Sequence, residues 1–172
     1  MADNFIADHI LDRPNSYIGR TVPRPNAKRL LSGHGTFTDD IKLPRMTHVA
    51  FVRSPLAHAE IVSIDKSAAE AADGVVAVVT GSEMAEFCAP WVGVLSHLEG
   101  LKSAPQHALA VNKVSWQGEA LVAVVAQSRA QAEDAAELVQ VDWKELPVVA
   151  DMETALDPDT PVIHPDLGDN QA

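Results

Sequence analysis

Residues Trp116 to Leu146 read WQGEALVAVVAQSRAQAEDAAELVQVDWKEL: a strand, a helix and a second strand in direct succession, around which the rest of the chain is organised. Leu121 to Ala126 is an unbroken, Val-rich apolar run of strand length, the pattern of a strand buried on both faces. Ser128 and Gln131 have the spacing of a capping box, in which the hydroxyl takes an orphan N–H of the first turn and the amide reaches back. Ala132, Ala135, Ala136 and Val139 then recur at helical spacing, a narrow stripe of small side chains that brings the helix close to a sheet, with Arg129, Glu133, Asp134 and Glu137 outside it. Val139, Val141 and Trp143 alternate with Gln140, Asp142 and Lys144, so the chain returns as a half-buried strand until Pro147 removes a ladder donor.

Upstream, His48 to Arg53 and Ala59 to Ile64 are strand-like runs broken by Ser54-Pro55-Leu56-Ala57, which fits either an antiparallel hairpin or a strand with a sharp corner. A hairpin would place Arg53 near His58 and His48 near Ser63. Ser67 and Glu70 form a second capping box opening an Ala-rich helix that Gly74 ends; Val75 to Val79 is a second buried strand; Thr80 and Glu83 form a third box. Glu60–Thr80 and Ala120–Trp143 thus share a plan. The likeness is patterned rather than literal, and capped short helices between strands explain it more simply than an internal repeat.

Ala108–Val111 and Lys113–Gln117 are expected as short strands with Asn112-Lys113 as their turn, and Thr36-Phe37-Thr38 as another. Residues 1–29, with Pro14, Pro23 and Pro25, read as an extended N-terminal arm with one helical turn around Phe5 to Leu11. The domain proper is expected over 30–150, and a Pro- and Asp-rich C-terminal arm over 151–172. Glu86 to His107 has no clean period, and its Trp91, Val92, Val94, Leu95, Leu98 and Leu101 fit two readings: a loop folded over its own core, or an apolar surface for another domain or subunit.

Charge narrows the class of partner. The 172 residues carry 24 acidic against 13 basic side chains, a formal net charge of −11, which argues against nucleic acid or an anionic membrane. No apolar run reaches the ~18 residues of a membrane span, and the N-terminal residues lack the basic end and apolar run of a signal peptide, so a cytoplasmic location is expected. Cys88 is the one cysteine and reads as a small buried hydrophobe.

Chemistry is sparse. His48 and His58 have no Cys or acid at metal-ligand spacing, so zinc is not expected. GHGTFT at Gly33 to Thr38 lacks the third glycine of a phosphate loop. Asp157, Asp159 and Pro161 break the order of a calcium loop. Glu119 is the carboxylate to watch, because Gly118-Glu119 enters the buried strand and an acid at such a mouth can have a raised pKa; a solvated strand-end acid is the plainer reading. No catalytic, cofactor-binding or metal-ligating residue is assigned, and the residues by themselves describe a soluble α+β domain.

A family resemblance adds to this. Ser16-Tyr17-Ile18-Gly19-Arg20, Leu31-Ser32-Gly33-His34-Gly35-Thr36-Phe37-Thr38-Asp39-Asp40-Ile41, Arg53-Ser54-Pro55-Leu56-Ala57-His58-Ala59-Glu60-Ile61, Asp73-Gly74 through Thr80-Gly81 and Gln117-Gly118-Glu119 through Ala126, in this order, resemble the start of a molybdenum hydroxylase large subunit, as in xanthine dehydrogenase, aldehyde oxidase and aerobic carbon monoxide dehydrogenase. The likeness extends to Ile163-His164-Pro165-Asp166 and Asn170. It implies an α/β-hammerhead fold, with short Ala-rich helices on a mixed sheet. It further implies a parent enzyme with molybdopterin cytosine dinucleotide, with two iron–sulfur clusters and FAD on partner domains or subunits, oxidising an aldehyde, an N-heterocycle or carbon monoxide. The family's pterin-contacting and catalytic residues lie outside this domain, so none transfers to a position here. The expected role is architectural, as a fragment or separate subunit whose partners are the remainder of the large subunit and the FAD and iron–sulfur subunits. The alternative is a freestanding hammerhead-fold binding module without enzymatic activity.

Overall fold

The computed structural model describes residues 24–93 and 97–171, so the expected turn at Phe5 to Leu11 and the Ser16–Arg20 motif lie outside the described residues. The chain forms two compact units, one ending at Pro44 and the other beginning at Arg45. In the first, helix α1 (Ala27–Leu31) occupies part of the stretch expected to be extended. Gly33, at φ +75°, ends it: Gly33 N–H donates to Leu30 O at 3.2 Å and His34 N–H to Arg29 O at 3.0 Å, the paired bonds of a Schellman cap. The GHG run therefore stops a helix. Thr36–Thr38 is not a strand; Thr38–Asp40 is a turn of 3-10 helix, with Phe37 N–H donating to Asp40 Oδ2 at 3.0 Å.

The second unit contains β1 (His48–Arg53), β2 (Ala59–Asp65), α2 (Ser67–Glu70), β3 (Val75–Thr80), α3 (Gly81–Ala85), β4 (Lys113–Val114), β5 (Ala120–Ala126), α4 (Arg129–Ala136) and β6 (Gln140–Glu145). The α+β hammerhead expectation holds, but the mixed sheet resolves into two three-stranded sheets, ordered β1-β5-β3 and β4-β2-β6, with every pairing antiparallel. β1 and β2 do not form a hairpin. His48 faces Ala126 and Ser63 faces Asp142, because Ser54–His58 is a corner that carries the chain from one sheet to the other. Ser54 Oγ fixes this corner, accepting from Leu56 N–H at 3.0 Å and donating to Leu56 O at 2.8 Å.

The two halves β1-β2-α2-β3 and β4-β5-α4-β6 have one connectivity with the sheets exchanged. Each starts at an edge of one sheet, takes the centre of the other, passes through a helix and returns to the remaining edge. The shared plan of Glu60–Thr80 and Ala120–Trp143 is therefore a topological repeat and not only a likeness of capped helices. Each half supplies the centre of the sheet whose edges the other half supplies, so neither half can complete a sheet alone.

Local chemistry explains most element ends. Thr80 and Glu83 form the expected box, with Thr80 N–H on Glu83 Oε2 at 2.8 Å. Lys66 Nζ binds Glu83 Oε1 at 2.6 Å, and this contact, then the Thr80 donors, holds the Glu83 carboxyl down at about 2. The Ser67–Glu70 box does not form. Asp65 Oδ1 accepts both Ser67 N–H, at 3.0 Å, and Ser67 Oγ, at 2.7 Å, while Glu70 pairs with Lys66. At α4, Ser128 Oγ accepts from Gln131 N–H at 3.3 Å, and the Gln131 amide oxygen takes the hydroxyl proton in place of the main-chain N–H.

One core unites the sheets: Val78, Val122 and Val124 from the first, Ala59 and Val114 from the second, with Leu121, Ala69 of α2 and Ala135 of α4. β5 is the buried strand the sequence predicts. β3 is an edge strand, half-buried, with Val76 and Ala77 outward. Ala108–Val111 is not a strand; Ala110 instead donates one N–H to Ala120 O at 2.8 Å. Within Glu86–His107 the chain folds on itself, Trp91 and Gln106 exchanging both main-chain bonds at 2.8 Å, while Phe87, Trp91, Val92 and Leu98 stay exposed.

Candidate functional site

The corner after β1, the turn before β5 and the C-terminal residues converge. Gly118, at φ +90°, makes the turn, and its N–H donates to Ser54 O at 2.8 Å while Ser54 N–H donates to Glu119 O at 2.9 Å. Arg53 Nη1 donates to Gly118 O at 2.9 Å. This ladder aims Glu119 into a groove of about 430 Å³ that also involves Lys113, Ser115, Trp116, His164 and Asp166. Lys113 Nζ holds the C-terminal segment there by donating to Ile163 O at 2.8 Å.

Glu119 is half-buried, so the solvated strand-end reading does not hold. Burial raises its pKa, and the main-chain N–H groups of Ser115 and Trp116 and the charge of Lys113 offset only part of that rise. The Ser115 bond is 2.7 Å. His164 moves the other way: burial lowers its pKa, helped by Lys113 and His58 and opposed by Asp166.

A second, smaller cavity of about 160 Å³ lies beside the groove, between His58, Trp116, Gln117, Val148 and Ile163. His58 is 8% exposed, and its Nδ1 lies 2.7 Å from Pro147 O. A carbonyl only accepts, so Nδ1 carries the proton and a neutral ring presents a lone pair at Nε2. Nε2 is buried without a partner among the described residues. The Nδ1 bond ties the segment after β6 to the start of β2.

The groove gathers one acid of raised pKa, one lysine and two histidines, His107 and His164, but among the described residues no hydrogen bond joins a groove hydroxyl to a base as nucleophilic catalysis requires. Among the described residues no group of three or more His, Cys, Asp or Glu could hold a metal ion. His48 in β1 and His58 in the corner belong to different sheet regions. Cys88 is exposed, not buried, with its thiol toward Met84 Sδ at 3.7 Å. In the C-terminal segment, Asp151 accepts from Glu153 N–H, a local turn contact, and Asp169 pairs with Lys102, 67 positions away. A molybdopterin dinucleotide does not fit these residues: Glu119 and Asp166 would face its diphosphate, and the one lysine of the groove is bound to Ile163 O. Sequence reasoning singled out Glu119, set His58 aside as a metal ligand and gave Lys113 and His164 no chemistry; these residues come together only through tertiary packing.

Replacing Glu119 separates charge from hydrogen bonding. An acid whose folded pKa is raised contributes stability that is fully present below its unfolded pKa and is lost as pH rises through the folded value. Glu119→Gln keeps an acceptor for Ser115 N–H and removes the buried charge, so its thermal midpoint at pH 7 is expected to equal or exceed that of the parent. Glu119→Ala leaves the N–H groups unpaired and is expected to lose about 1–2 kcal/mol. Midpoints measured from pH 4 to pH 8 check both, and a large loss in Glu119→Gln would show that the ionised form is needed.

Comparison with known proteins bears out the fold. The model of the aldehyde oxidase and xanthine dehydrogenase a/b hammerhead domain matches residues 32–147, and the chain belongs to that family. It is 40% identical over 149 residues to the nicotine 6-hydroxylase large subunit of Paenarthrobacter nicotinovorans, covering 82% of this chain and 18% of that protein. It is 42% identical over 148 residues to the carbon monoxide dehydrogenase large chain of Hydrogenophaga pseudoflava, covering 84% and 18%. Among solved structures, quinoline 2-oxidoreductase from Pseudomonas putida 86 superposes with a TM-score of 0.77 at 44% identity, over 83% of this chain and 18% of that one. The aldehyde oxidoreductase from Desulfovibrio gigas does so at 0.75 and 31%, over 83% and 16%. The chain thus spans about a fifth of the length of these relatives. Among the described residues no helix is long and apolar enough to cross a membrane.

Proposed function

We propose that this chain is the N-terminal supporting module of a molybdenum hydroxylase large subunit. The enzyme it serves oxidises an aldehyde, an N-heterocycle or carbon monoxide with molybdopterin cytosine dinucleotide, and its electrons leave through iron–sulfur clusters and FAD on partner domains or subunits in the cytoplasm. Residues 30–150 are the hammerhead body, with arms at 1–29 and 151–172, and none of them takes part in catalysis. One observation carries this reading: identity of 40% or more to large subunits, confined to 18% of their length. The two acids of the groove, Glu119 and Asp166, suit no anionic cofactor, which supports a scaffold role.

Purification of the tagged chain from its native host tests the proposal. The expected product contains the rest of a large subunit together with molybdenum and iron, and it oxidises a substrate of one of the three classes. A colourless chain without further polypeptide would instead favour a freestanding module. Turnover by the 172 residues alone would overturn the assignment of catalysis to other polypeptide.

A further inference from the structure

The two sheets are finished differently on their outward faces. On the sheet of β4, β2 and β6, Glu60 faces Lys144 and Ser63 faces Asp142; Lys144 Nζ binds Glu60 Oε2 at 2.9 Å, and Ser63 Oγ donates to Asp142 Oδ2 at 2.6 Å. Such cross-strand polar pairs complete a face that meets water. The sheet of β1, β5 and β3 has its inner rows, Ala50-Val124-Val78 and Val52-Val122-Thr80, turned to the core. Its outer rows are Val49-Val125-Ala77 and Phe51-Ala123-Val79, six apolar residues in register. Val49 is 51% and Phe51 47% exposed. Arg53 flanks this face, its guanidinium 5.5 Å from the Phe51 ring centre.

A contiguous apolar patch beside a polar rim marks an interaction surface. From this contrast we infer that the outer face of the β1-β5-β3 sheet is where the remainder of a large-subunit polypeptide docks, presenting an apolar surface of its own. The inference rests on the proposed function and adds to it the face and its anchors, Val49, Phe51 and Val125. Two observations select this occupant. The relatives carry about four-fifths of their length outside the matched region, so each has polypeptide available to cover the face. A second copy of this chain would instead set a net charge of −11 against −11, which opposes close apposition. The patch itself contains no acid, so burying it leaves no carboxylate unpaired.

Photocrosslinking in the native assembly tests the inference. The variant Phe51→p-benzoylphenylalanine keeps an aromatic side chain on the half-exposed face, and Val62→p-benzoylphenylalanine reports the polar sheet, where Val62 is 64% exposed. On irradiation, Phe51→p-benzoylphenylalanine is expected to join large-subunit polypeptide outside these 172 residues, with a yield at least tenfold above that of the Val62 variant. Equal yields from both positions would overturn the inference while leaving the proposed function in place. So would capture of a second copy of residues 1–172, or of an iron–sulfur or FAD subunit. An assembly that holds no further large-subunit polypeptide would overturn both readings together.

Discussion

Gly81→Ala is expected to cost about 3 kcal/mol, the upper end for overpacking a filled site. A Cβ on Gly81 would collide with the Ala110 carbonyl oxygen and lie 2.6 Å from the carbonyl carbon. Neither side of the contact can yield cheaply. Ala110 is pinned to the central strand by its N–H bond to Ala120 O. Gly81 directly follows Thr80, which is buried and bonded to Glu83, and Glu83 is in turn held by Lys66. For a domain of this size a loss of about 3 kcal/mol lowers the thermal midpoint by roughly 6–12 °C. Gly33→Ala is the control: its φ is +75° but a Cβ meets nothing within 4 Å, so only the left-handed backbone cost of about 1–2 kcal/mol applies. Denaturant and thermal midpoints of the two variants give the comparison. Equal losses would show that the approach of α3 to Ala110 is not tight.

The elements of this fold are legible where the signal is local and long. β5, α4 and β6 follow from an apolar run, a four-position stripe and an alternation, each within one segment. The corner at Ser54–His58 is not settled in the same way, since the broken strand allows a turn back as readily as a change of sheet. Pairing decides it: β5 arrives from almost 70 positions later to take Arg53 opposite Ala120, and β6 comes later still to take Ser63 opposite Asp142. The Ser67–Glu70 box fails for a nearer reason. Asp65 reaches the Ser67 donors first and Lys66 draws Glu70 aside, so competing side chains just ahead of the box defeat a correct spacing. At Thr80–Glu83 the Ser82 hydroxyl shares Thr80 Oγ1 at 3.1 Å without displacing the box, and Lys66 reinforces it.

The candidate site divides along the same line. Glu119 is visible from sequence as an acid at a strand mouth, but its burial comes from Lys113–Trp116 and from the segment at Ile163–Asp166, which only the fold brings across it. His58 reads as an ordinary histidine until its Nδ1 is seen against Pro147 O, 89 positions away. The motifs that carry the family resemblance are nonetheless spatially coupled. Arg53-Ser54-Pro55 and Gln117-Gly118-Glu119 bond to each other through Ser54 and Gly118 main chain and the Arg53 side chain. What the sequence presents as two separate signatures is one structural joint, where the end of the edge strand β1 meets the start of the central strand β5.

Leu121→Ala at that joint is the second large effect, with an expected loss of about 3 kcal/mol from removed transfer energy and the cavity left behind. Leu121 is fully buried, near the start of β5, in the cluster that includes Ala59 and Val114 of the other sheet. The substitution therefore thins the packing that couples the sheets. Hydrogen exchange is expected to accelerate in β2 and β4 as well as in β5, and the urea midpoint to fall with little change in the slope of unfolding. Phe51→Ala, on the same sheet but outward, is expected to cost less than about 1 kcal/mol, because a side chain 47% exposed has yielded only part of its transfer energy. Comparable losses at the two positions would mean that the outer face is packed as tightly as the core. Exchange confined to β5 in Leu121→Ala would mean that the two sheets are stabilised separately, against the exchanged topology in which each completes the other.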